Sequence, residues 1–244
     1  MDELGGRSRL QWFGTGLRQA AMGPMFLVAF SLISVGGLAR DGGSSMGVAV
    51  ASTLIVWAGP AQIVYFGSLA AHVPLAAIAL AITLSSVRFL PMSLALLPVL
   101  RGKRTSFGSL LLAAHLVAMT VWAETMRRAP AIPREARMSF YFGFAFVCIS
   151  ATAISTALGY ILVGELPAPL AAGLLFLTPV YFVATLVRNS RRPIDYLALI
   201  FGLGLTPISS ALFGPNFDLL ALGLCAGTSA WFIQRQLDHR RIKP

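Results

Sequence analysis

The chain has 244 residues, 57% hydrophobic and 11% charged, with a mean hydropathy of +0.77. An average soluble chain carries about 25% Asp, Glu, Lys and Arg, so a soluble enzyme, a disordered chain and a disulfide scaffold are excluded together. The net charge of +10 would suggest nucleic acid in a soluble domain. Here the basic residues lie mostly in short loops between apolar runs, where the positive-inside rule expects them and anionic lipid is the partner.

Residues 1–18, with Arg7, Arg9 and Arg18, read as a cytoplasmic segment. They lack the short apolar core and small-residue cleavage site of a signal peptide, so the first span is expected to insert uncleaved. Eight candidate membrane segments follow, near 19–39, 47–71, 73–100, 107–126, 139–164, 167–187, 194–213 and 217–234. Each is long enough, at roughly 20 residues, to cross a bilayer core of about 30 Å. Apolar and polar residues do not alternate, which removes a β-barrel. The expectation is an all-α, polytopic membrane bundle, one domain over 1–244 with a basic tail at 235–244.

Topology follows from charge. Basic clusters at Arg101–Arg104, Arg127–Arg137, Arg188–Arg192 and Arg235–Lys243 should face the cytoplasm. Eight full crossings would put Arg101–Arg104 outside, so one early segment is expected to be re-entrant. The segment 107–126, with His115 and Glu124, is the least apolar. Seven or eight crossings result.

Four segments carry a proline preceded by Gly or Thr: Gly23-Pro24, Gly59-Pro60, Thr178-Pro179 and Thr206-Pro207. Proline removes one helical hydrogen bond and frees the carbonyl four residues earlier. Interrupted helices at corresponding places in two halves point to a transporter's binding site, and Pro and Gly kinks in membrane helices are the plainer alternative. Trp57-Ala58-Gly59-Pro60-Ala61-Gln62 is the most suggestive break. Gln62 can donate and accept and could hold an ammonium or a carboxylate, beside the Val56 carbonyl that Pro60 frees. It could equally be an interhelical hydrogen bond.

Arg88 lies near the middle of 73–100, among Thr83, Ser85, Ser86 and Ser93. An arginine at that depth costs about 2.5–3.5 kcal/mol, so it should face a cavity or a partner. It either binds a carboxylate through its planar fork or pairs with Glu124 or with backbone carbonyls, such as that of Val87, which Pro91 would free. Glu124 is an interfacial acid or a proton-coupling carboxylate, and His115 is a titrating partner or a packing histidine. Cys148 and Cys225 are expected to be small buried packing residues, and neither has metal-ligand spacing. Gly223–Gly227 forms a GxxxG unit suited to close helix approach within the chain or to a second subunit, which leaves a homo-oligomer open. No cofactor or metal is expected, and no Walker-type loop supports ATP drive.

Several stretches resemble a known family. Gly23-Pro24-Met25-Phe26, Ala58–Gln62, Val87–Ser93, and Phe176–Phe182 followed by Arg188–Arg192 are similar to the AzlC-type large subunit of branched-chain amino-acid exporters, over about residues 12–235. The resemblance implies export of branched-chain amino acids, a small AzlD-type membrane subunit as partner, and the bacterial inner membrane. Ser86 stands where that family usually has asparagine, and Glu124 is what remains of an aspartate-glutamate pair. The combined reading is a proton-driven secondary transporter. Arg88, with Ser86 beside it, and the half-helix starting at Gly59-Pro60 form the carboxylate end, and Gln62 the amine end. Trp57, Phe89 and Tyr181 are the walls, Thr178 marks the second break, and Glu124 and His115 are the coupling candidates. The rivals are a scaffold subunit that transports nothing and an intramembrane enzyme, the latter lacking clustered His, Asp or Glu.

Overall fold

The computed structural model describes residues 6–103, 105–167 and 193–241, with 169–170, 172–173, 176, 180, 183–184 and 187 between them. Thr178 and Tyr181 lie outside the described residues, as do the Thr178-Pro179 break and Arg188–Arg192. The described residues form helices and turns without strands, as the apolar periodless runs require.

A long helix, α9 (Arg137–Glu165), is the axis against which the rest packs. The stretch Arg134–Val163 is long and apolar enough to cross a membrane. Helices α1 (Arg9–Ala21) and α2 (Pro24–Asp41) run alongside it. Ser8 opens α1 with a capping box to Gln11, and the chain breaks at Met22–Gly23 before restarting on Pro24. Proline suits a first helical position because its missing N–H would be unpaired there. Glycines let α1–α2 and α9 touch backbone to backbone. A Cβ on Gly16 would stand 2.2 Å from the Phe140 carbonyl oxygen, and one on Gly36 1.9 Å from that of Thr156. Gly143 and Gly159 answer from the other side, against Phe13 and Ile33. Both pairings advance together along the chain, so α1–α2 is parallel to α9. The small-residue seam of this fold is therefore here. Gly227, in the expected GxxxG unit, faces open space.

Next come α3 (Met46–Ile55) and α4 (Gly59–Ala70), two half-length helices. They fold back on each other as a hairpin: Gln62 reaches Ser52 and Thr53 across the break. Gly42, before α3, lies against Phe66 and Ala70 at the end of α4. The Tyr160 hydroxyl donates to the Ser44 carbonyl at 2.9 Å, and Arg40 donates to the Tyr160 and Ile161 carbonyls at 3.1 Å. This hairpin therefore starts and finishes at the C-terminal end of α9. A turn at His72, in the left-handed region with φ 55°, leads to α5 (Leu75–Ser86) and α6 (Phe89–Leu100), bent by 43° where they meet.

Helices α7 (Phe107–His115) and α8 (Met119–Arg128) are again two half-length pieces. The chain enters and leaves them at the N-terminal end of α9. Arg134 Nε donates to the Arg101 carbonyl at 3.0 Å, the Lys103 N–H donates to Glu135 at 2.8 Å, and Arg137 donates to the Val99 carbonyl at 3.3 Å. The loop of Arg101 and Lys103 thus shares one end of the molecule with Arg127–Arg137 and with α1. The segment 107–126 is folded into the α7–α8 hairpin, and the segment 47–71, read as a crossing, into the α3–α4 hairpin.

The last helix, α10 (Pro193–Arg241), is continuous. Two spans divided near Gly214-Pro215, and a break at Thr206-Pro207, were expected. One proline costs a helix a single bond and signals a kink more than a stop, and the Thr206 hydroxyl donates to the Gly202 carbonyl at 2.6 Å. Cys148 is buried as expected, whereas Cys225 is exposed because nothing among the described residues covers that side of α10. Elsewhere the outer surface is apolar, with Leu75, Leu94, Phe107 and Ile154 more than 60% exposed.

Candidate functional site

The α3–α4 break is the most built place in the molecule. Trp57 adopts φ +40°, a left-handed conformation that costs a bulky residue about 1–3 kcal/mol and persists where surroundings over-determine it. Those surroundings are visible. The Trp57 ring is 4% exposed, and its indole N–H donates to Thr152 Oγ1 of α9 at 3.0 Å. Ala58 is extended, and α4 restarts on Gly59 and Pro60. The Gln62 N–H makes the first intrahelical bond, to the Ala58 carbonyl at 2.9 Å. The N–H groups of Gly59 and Ala61, ahead of it, have no intrahelical acceptor.

Between the hairpin's two legs lies a cavity of about 300 Å³, small for a ligand site but within range. Val48, Ile55, Val56 and Ala61 line it, and Ile82 of α5 closes it. Its polar contributors are Ser52, Gln62 and Tyr65. Gln62 is 1% exposed. Its Nε2 donates to Ser52 Oγ at 3.0 Å and Thr53 Oγ1 at 2.9 Å. Its Oε1 is buried and has no hydrogen-bond partner among the described residues. Leaving such an acceptor unpaired costs about 1–3 kcal/mol. Of the two sequence readings of Gln62, the structure shows the hydrogen bond between helices, made by Nε2 to Ser52 and Thr53 of α3.

The other expected residues are distributed around this cavity. Gly59 and Pro60 begin α4. Trp57 and Phe89 lie together in the adjoining core with Val117, Tyr141 and Cys148, outside the cavity lining. Ser86 ends α5. Arg88 sits at the α5–α6 bend, exposed, with its guanidinium 5.1 Å from the Phe89 ring centre. It does not pair with Glu124, which is engaged by Arg127 and, at 3.1 Å, by Arg128. The Val87 carbonyl accepts the Leu90 N–H at 3.1 Å and is not left free by Pro91. Arg88 is thus neither sealed in a dry core nor part of the cavity wall. Ile82 lies six residues, about 9 Å, before it along the same chain direction.

His115 was expected as a titrating partner or a packing histidine, and Tyr141 escaped the sequence reading. The His115 ring Nε2 lies 3.1 Å from the Leu54 carbonyl, linking the end of α7 to the end of α3. The Tyr141 hydroxyl lies 2.8 and 2.7 Å from the Ala113 and Leu116 carbonyls, which share its one hydrogen, and it holds the α7–α8 break. That break contains neither proline nor glycine, and the residue that holds it comes from α9.

A family model described as AzlC protein matches residues 24–166. The match covers more than half of the chain and both hairpins, and the chain belongs to the AzlC family. The family is associated with branched-chain amino-acid transport, is a component of a two-subunit system, and is not an enzyme family. No curated protein and no solved structure matches the chain.

Proposed function

We propose that this AzlC-family chain is the large subunit of a two-component exporter of branched-chain amino acids in the bacterial inner membrane. One observation carries the reading: an aliphatic cavity at a strained helix break is lined by Gln62, whose buried Oε1 has no hydrogen-bond partner among the described residues. An apolar pocket with few fixed polar groups is what an apolar amino acid requires. The substrate ammonium binds Gln62 Oε1 and the Val56 carbonyl, and its side chain fills the cavity. The free N–H groups of Gly59 and Ala61 favour the carboxylate near the start of α4. Arg88 is the anion-recognising station further along the path, with Ser86 beside it. Trp57 and Phe89 back the cavity, and Thr178 and Tyr181 complete the path from the second half.

In this reading the basic loops of Arg101–Lys103 and Arg127–Arg137 face the cytoplasm, α3–α4 re-enters from outside and α7–α8 from inside; the continuous α10 does not let both of its basic ends share that side. Transport is proton-coupled. Glu124, held by two arginines, is an ionised interfacial acid, which leaves His115 to carry the proton. A small AzlD-type subunit and lipid cover the apolar surface, with a second copy of the chain as a further occupant.

The test is efflux of leucine, isoleucine, valine and methionine from preloaded cells, with and without the small co-encoded membrane protein. Export of these by the pair, lost in Arg88→Gln at normal membrane abundance, is the expected result. An uncharged amide cannot neutralise a carboxylate. Export that survives Arg88→Gln supports the non-transporting scaffold.

A further inference from the structure

The hydroxyl groups around Gln62 form a one-way chain. Thr152 donates to the Ile149 carbonyl at 2.8 Å and accepts from Trp57. Thr156 donates to the Thr152 carbonyl at 2.9 Å. Thr53 Oγ1 lies 2.9 Å from Thr156 Oγ1 and 3.3 Å from the Ala49 carbonyl, so its one hydrogen goes to one of these two acceptors and its oxygen offers lone pairs to Gln62. Ser52 donates to the Ala49 carbonyl at 2.7 Å and likewise offers only lone pairs. A hydroxyl has one hydrogen, and each one here is committed. Gln62 must then present its NH₂ to Ser52 and Thr53, with its carbonyl oxygen turned away from them. Rotating the amide would cost the Ala49 and Thr152 carbonyls their additional hydroxyl bonds and bury two unpaired N–H groups where one unpaired oxygen now stands.

From this we infer that Thr53 is a positioning residue. Anchored on α9 through Thr156, it locks the Gln62 amide so that the cavity offers an acceptor and never a donor at that point, selecting solutes with a donating head group. Thr53 is fully buried and does not line the cavity, so it acts only through Gln62. The inference rests on the proposal that this cavity receives the solute. It adds that the cavity distinguishes the two charged ends of an amino acid by proton accounting among neutral side chains.

The experiment uses the purified full chain in detergent, carrying Arg88→Gln so that the guanidinium does not itself bind the acid. Isothermal titration compares 3-methylbutylamine, which is leucine without its carboxylate, with 4-methylpentanoate, which is leucine without its amine. The expected preference for the amine is about tenfold or more, the size of a hydrogen bond to a charged group. Thr53→Val, nearly isosteric, should bring that ratio close to one by freeing the amide to rotate, and Thr53→Ser should restore it. Circular dichroism melting checks that each variant is folded. A ratio unchanged in folded Thr53→Val overturns the inference. If Thr53→Val does not fold, the parent decides: equal binding of amine and acid, or no binding of either at millimolar concentration, overturns it. Leucine efflux by the native chain without amine preference sinks this inference alone. Amine preference without leucine efflux sinks the transport reading alone.

Discussion

The two hairpins, α3–α4 and α7–α8, solve one structural problem by different means. Each starts on a serine cap, Ser45 accepting from the Val48 N–H at 3.3 Å and Ser106 from the Ser109 N–H at 3.2 Å. Each stops after nine or ten residues, crosses an extended alanine (Ala58 or Ala118), and restarts. In α3–α4 the break is written locally, in Gly59-Pro60 and a left-handed Trp57. In α7–α8 it is imposed from outside, by the Tyr141 hydroxyl on two carbonyls. The tip of the second hairpin packs into the core with Val117 and Val121. Both hairpins hold buried polar atoms without a partner among the described residues, Gln62 Oε1 in the first and Trp122 Nε1 and Thr125 Oγ1 in the second. What distinguishes Gln62 is that its residue also lines a cavity between the legs of its own hairpin.

Paired substitutions can break this contrast. Gln62→Leu should weaken leucine binding by between about 10- and 100-fold, the loss of one charge-assisted hydrogen bond. Thermal stability should change little, because the same substitution removes a buried unpaired acceptor. Tyr141→Phe should do the reverse. It removes the one hydroxyl hydrogen that the Ala113 and Leu116 carbonyls share and should cost about 1–3 kcal/mol of stability, seen as a lower unfolding midpoint, with leucine affinity in the folded fraction retained. If Gln62→Leu destabilises as much as Tyr141→Phe while binding persists, both hairpins are scaffolding and the cavity is incidental.

The same contrast explains what could be read from residue order. All-helical architecture and the break at Gly59-Pro60 follow from local chemistry, since proline lacks an N–H wherever it stands. Yet Thr206-Pro207 carries a like signal and α10 runs through it, because one lost bond does not oblige a helix to stop. The direction after a break is not local either. The run 47–71 is long enough to cross a bilayer, and only contacts of Gln62 with Ser52, and of Gly42 with Ala70, turn it back. Gln62 stood out as an amide in an apolar run. Which end of that amide is free depends on Thr53 and Thr156, residues on two other helices, and so could not be read from its neighbours. Glu124, by contrast, could be read from its neighbours, since Arg127 and Arg128 stand three and four residues on and engage it in the structure.

The smallest expected effect concerns the one bond that joins the hairpins. His115 Nε2 to the Leu54 carbonyl, at 3.1 Å, is a single half-exposed contact worth about 0.5–1.5 kcal/mol. A carbonyl can only accept, so the ring must carry its hydrogen on Nε2, and protonation at Nδ1 keeps the bond while adding a charge beside the end of α3. Two substitutions separate the link from the charge. His115→Leu removes both and should lower stability by that small amount and abolish the response of efflux to an imposed pH gradient. His115→Gln keeps a donor for the Leu54 carbonyl but cannot take up a proton. It should retain stability and leucine exchange at equal concentrations while losing the gradient response. A gradient response that survives in His115→Gln would place the coupled proton elsewhere and reduce His115 to a strut between two hairpins.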